Sequence, residues 1–100
     1  MSSRRDKVRN IVEAAISDYG GDTMVRVVFW HMQHTYNLDP GDVLAKPDTA
    51  VRALRAIYGD FEGIIEGNIC ERIAKEYGID YKGQGLLELS DELKNAVGLH

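Results

Sequence analysis

Met24-Val25-Arg26-Val27-Val28-Phe29-Trp30-His31-Met32 is the stretch on which the fold class turns. Its β-branched and aromatic residues would suit a strand. The chain holds no second run of similar quality to pair with it, however, and a lone strand leaves its backbone N–H and C=O groups unsatisfied. A helix satisfies them internally, so the stretch is read as part of a helix over about 23–36. Its apolar residues cover well over half the circumference, which predicts a central position.

Working outward, Gly20-Gly21 separates this helix from an earlier periodic run. Val8, Ile11, Val12, Ala15, Ile16 and Tyr19 follow i, i+3, i+4, i+7, i+8, i+11, one face of a helix over about 8–19. The glycines predict a stop, with Asp22 or Thr23 capping the next helix, and so short a joint predicts an antiparallel or steeply crossed pair. Residues 1–7 read as a basic leader. Downstream, Asp39-Pro40-Gly41-Asp42 carries turn signals within a loop over 37–47 that Val43 and Leu44 anchor on the core. A helix over about 48–58 buries Val51, Leu54, Ile57 and Tyr58 and stops at Gly59. The next, over about 61–77, carries Phe61, Ile65, Ile69 and Ile73 in an i, i+4 row. Ile79 and Tyr81 alternate with polar residues in an extended strip, and a last helix spans about 86–97, with Ser90 as an alternative start. Gly98-Leu99-His100 reads equally as native sequence or as the remnant of a purification tag. The expected fold is all-α, a compact bundle of four to five helices forming a single domain across 1–100.

With 44% apolar positions in 100 residues, the chain can offset the entropy of ordering itself, which excludes a disordered acidic tail. No stretch approaches the roughly 20 uninterrupted apolar residues of a membrane span. A single cysteine, Cys70, excludes an intramolecular disulfide, and Met-Ser-Ser-Arg-Arg lacks the apolar run of a secretory signal, so the expected location is cytoplasmic. A chain this short buries only about 60–70% of its unfolded surface, so apolar stripes beyond a modest core are candidate interfaces.

The net charge of −4 is uneven: Arg4, Arg5, Lys7 and Arg9 against Asp6 make the first nine residues basic, and the remainder is strongly acidic. Arg4, Arg5 and Arg9 with Arg52 and Arg55 are the candidate nucleic-acid residues. The acidic body disfavours that reading, because neutralising six to ten phosphates takes an extended basic footprint. The loop between Tyr36 and Asp48 is also longer than the turn of a simple helix-turn-helix.

His31 and His34 are spaced i, i+3, as two imidazoles facing one metal would be, but no third ligand stands in zinc-site spacing, and no metal or cofactor is expected. Glu62 and Glu66, four apart, read as neighbours on an exposed face rather than a catalytic acid–base pair. Cys70 lacks an activating histidine or lysine and reads as a small core residue. With no nucleophile motif, phosphate loop or dinucleotide fingerprint, no enzyme is expected. Gly59, Gly63 and Gly67 share an edge of their helix, which suggests close approach of another backbone, either within the molecule or from a second copy.

Tyr36-Asn37-Leu38, Lys46-Pro47 and Ala53-Leu54-Arg55-Ala56-Ile57-Tyr58-Gly59, followed by Ile64-Ile65-Glu66 and Ile73-Ala74-Lys75-Glu76-Tyr77-Gly78-Ile79-Asp80-Tyr81, resemble the Nitrosopumilus output domain family. The resemblance spans roughly residues 8–93 and is most specific at Ile57-Tyr58-Gly59 and Ile65-Glu66. It implies an archaeal cytoplasmic module at the output end of signalling proteins, with no catalytic residues to carry over. The reading that joins these features is a helical regulatory module that docks to a protein partner or to a second copy as a homodimer, through Trp30, Phe61, Gly63 and Gly67. Bulky aromatics beside glycine give an interface energy and room.

Overall fold

The structure, a computed structural model, describes residues 3–98. Met1, Ser2, Leu99 and His100 lie outside the described residues. Helix α1 (Arg4–Thr35) is one 32-residue element interrupted only at Gly21. Drawn straight, it would be about 48 Å long, yet the longest extent of the whole molecule is 39 Å. The element therefore folds back on itself. Gly21 makes the bend at φ 67° and ψ −167°, a combination essentially confined to glycine. Its arms, 4–20 and 22–35, lie antiparallel: the Arg9 guanidinium stands 5.7 Å over the Phe29 ring, and Arg5 reaches Asp42 just beyond the far end of the second arm. The predicted pairing is present. The expected separate helices 8–19 and 23–36 are instead a single element, because one glycine suffices for the joint.

The basic leader over 1–7 is also corrected. Ser3 caps α1 by accepting a hydrogen bond from the Asp6 N–H at 3.1 Å, so the helix already runs at Arg4 and Val8 is buried. The second arm keeps Val25, Val28 and Met32 inside but turns Val27 and Trp30 outward, so it is not the fully surrounded helix its composition suggested.

After α1, a single 3-10 turn (Pro40–Asp42) is capped by Asp39, whose Oδ1 accepts from the Gly41 N–H at 2.8 Å. The turn packs so closely on the start of α1 that a Cβ at Gly41 would stand 2.6 Å from the Arg5 carbonyl oxygen. Val43 and Leu44 are buried as expected. Helix α2 (Pro47–Tyr58) ends at Gly59, whose φ of 57° suits only glycine comfortably. A second 3-10 turn (Gly59–Phe61) takes up the chain before α3 (Glu62–Glu76), so Phe61 precedes that helix rather than opening it. Helix α4 (Leu86–Gly98) closes the fold. Ser90 does not start it: the residue is buried within the helix, and its Oγ donates to the Leu44 carbonyl at 2.6 Å, tying α4 to the loop before α2.

Ile16, Met32, Leu54, Ile69, Ile73 and Leu89, one or more from every helix, meet in one core. The Cα radius of gyration, 12.8 Å, is that of a single compact 100-residue unit, about 13 Å. All regular structure among the described residues is helical, and none of their helices is long and apolar enough to cross a membrane.

Candidate docking surface

Lys7 reaches Glu76 at 3.9 Å, while Asp18 meets Arg72 and Asn68, so the first arm of α1 lies antiparallel along the later turns of α3. The arm turns away at Gly21, and the start of α3 extends past its cover. There Tyr19 from the end of the arm, Tyr58 from α2, Phe61 from the 3-10 turn, and Ile64 and Ile65 from α3 line an apolar cleft of about 380 Å³. Phe61 is 67% exposed, Tyr19 54% and Ile64 52%. Across Ile64 and Tyr19 a second hollow of about 480 Å³ opens, lined also by Gly63, Gly67, Asp18 and Glu71. Tyr19 is the member of this surface that periodicity missed, since it completes the helical pattern that otherwise marks core.

Of the four expected contact residues, the fold brings Phe61, Gly63 and Gly67 onto these adjoining hollows. The glycines do not serve close packing within the chain. A Cβ at Gly63 would meet nothing within 4 Å, and one at Gly67 would meet only the Tyr81 Oη at 3.8 Å. Trp30 does not line the cleft. It is 59% exposed on the second arm of α1 and stacks on His34 with ring centroids 4.6 Å apart.

The other sequence candidates separate. His34 Nδ1–H donates to the Trp30 carbonyl at 3.0 Å, and His31 lies edge-on to Tyr36, with its Nε2 buried and unpartnered. Among the described residues no three His, Cys, Asp or Glu side chains are grouped to hold a metal, so His31 and His34 do not converge with Glu62 and Glu66. Burial pushes the Cys70 thiol up to about 12, with Glu66 and Glu62 adding to the effect, which keeps it from acting as a thiolate.

The basic residues of the first turns face acids of the same molecule. Arg5 reaches Asp42 at 2.9 Å and Asp39 at 3.6 Å, Arg9 reaches Asp39 at 3.7 Å, and Arg4 stands 5.4 Å over Tyr77. Arg52 and Arg55 are exposed on α2.

Glu62 and Glu66 require a correction. They are not a pair on an exposed face, because Glu62 is 4% exposed. A signal was present: Glu62, Ile65, Ile69 and Ile73 fall at i, i+3, i+7, i+11, which places the carboxyl on the buried stripe. Glu66 Oε2 accepts a hydrogen bond from the Leu86 N–H at 3.0 Å, at the first residue of α4.

Comparison of the chain with known proteins finds no matching family model, no matching curated protein and no matching solved structure.

Proposed function

We propose that this chain is a non-enzymatic helical regulatory module that acts by docking a helix of another protein against the cleft of Tyr19, Phe61 and Ile64. The observation that carries the reading is the exposure of three large apolar side chains around one recess, in a molecule whose other apolar rows are packed dry. Exposed patches of this kind on small domains mark interaction sites. The family resemblance supports the same reading and adds its setting, an archaeal cytoplasmic signalling output. The alternative, a DNA-binding regulator built on Arg4, Arg5, Arg9, Arg52 and Arg55, is weakened by the pairing of its N-terminal arginines with Asp39 and Asp42, since charges already neutralised contribute little to phosphate binding.

The test titrates the 15N-labelled chain with an amphipathic helical peptide bearing leucines at i, i+3, i+4 and i+7 and lysines elsewhere. Saturable amide shifts centred on Tyr19, Phe61, Gly63 and Ile64, lost in Phe61→Ser, support docking. Shifts scattered over the surface, or none, overturn it. Light scattering across concentration identifies the homodimer, in which Phe61→Ser abolishes self-association.

A further inference from the structure

We propose that Glu62 and Glu66 form a proton-operated latch between the start of α3 and the start of α4, closed while the pair shares one proton and loosened when both carboxyls are ionised. The latch does not depend on the docking reading.

Glu62 occupies the buried stripe of α3, and its Oε1 is enclosed without any hydrogen-bond partner. An ionised carboxylate left so placed is costly, and a second carboxylate one turn away makes it costlier. Glu66 is held differently. Its Oε2 accepts the Leu86 N–H, one of the free amides at the head of α4, where the helix dipole favours negative charge. The proton therefore rests on Glu62, which donates it to Glu66.

The surrounding charged and titratable groups set the balance. Arg55 on α2 favours ionised Glu62, but burial and the neighbouring Glu66 outweigh it and push the Glu62 carboxyl up to about 7. Cys70 on α3 stays a neutral thiol. Burial raises Tyr58, at the end of α2, and Tyr81, in the connecting loop, so both stay neutral phenols. Glu88, in the first turn of α4, reaches back to the Gly85 N–H at 3.4 Å and adds negative charge to the same corner.

When Glu62 loses its proton, Glu66 loses a donor and gains a like-charged neighbour. The relief is separation of the two helix starts, which costs the Glu66 contact with Leu86. Because the raised carboxyl holds its proton only in the folded chain, stability is fully present below the ordinary carboxyl range, falls as pH rises toward about 7, and is level beyond.

Two measurements on the full chain decide it. In a side-chain 13C titration, the Glu62 Cδ resonance is expected to move with a midpoint near 7 instead of the ordinary 4.5. Thermal melts should show the wild-type midpoint falling between about pH 5 and about pH 8, while Glu62→Gln, which keeps a donor without the charge, stays level across that range and melts higher at its alkaline end. A Glu62 midpoint in the ordinary carboxyl range, or a Gln variant with the wild-type pH slope, overturns the latch. If the Gln variant fails to fold, the titration of the native chain decides alone.

Discussion

The two edges of α3 carry similar side chains to opposite ends. Ile65, Ile69 and Ile73 are dry, whereas Ile64, with Phe61 just ahead of the helix, stands in solvent. The difference comes from α1 and not from α3. Its first arm covers the stretch from Glu76 back to Asn68 and then turns at Gly21, leaving the opening residues of α3 with only Tyr19 beside them. Where a helix ends thus decides whether its neighbour's apolar residues become core or surface.

The sharpest way to break this comparison is to truncate one residue on each edge. Ile69→Ala removes a side chain with no exposure and should cost about 2–5 kcal/mol in a denaturant titration. Phe61→Ala, although it deletes more apolar volume, should change stability by no more than about 0.5 kcal/mol, because its ring is already in water. Comparable losses from the two would place Phe61 in the core and remove the basis for a docking role. The bend itself comes next. Gly21→Ala forces a Cβ into a backbone region that side chains avoid, and should cost about 1–3 kcal/mol in thermal unfolding. An unchanged melting point would show that the hairpin turn is not strained there.

Much of this was legible from residue spacing. The periodic rows located each helix to within a few residues, Gly59 marked a real stop, and Val43 and Leu44 anchored their loop as turn chemistry suggested. What spacing could not supply was coverage. Tyr19, Val27 and Trp30 fit apolar patterns as well as Val12 or Met32 do, and only the path of the neighbouring chain leaves them exposed. Glu62 shows the converse. Its register on α3 marked the buried stripe, but charge argues for the surface, and periodicity has no means of weighing a carboxyl whose cost is met by a shared proton. The basic first turn failed for a similar reason: local charge counts did not reveal that Asp39 and Asp42, more than thirty residues away, would sit opposite it.

The smallest effects test the glycines on the exposed side of α3. Gly67 lies within the helix, where replacing glycine by alanine reduces the entropy lost on folding, and the new methyl would meet only the Tyr81 hydroxyl at ordinary contact distance. Gly67→Ala should therefore stabilise the chain by about 0.5–1 kcal/mol. Gly63→Ala, in the first turn, should gain less. A loss of stability from either change, growing with protein concentration, would mean that another backbone packs on this edge. Since no part of the chain itself comes so close, that backbone would belong to a second copy, and the cleft beside Phe61 would then be one side of a dimer interface rather than a seat for a foreign helix.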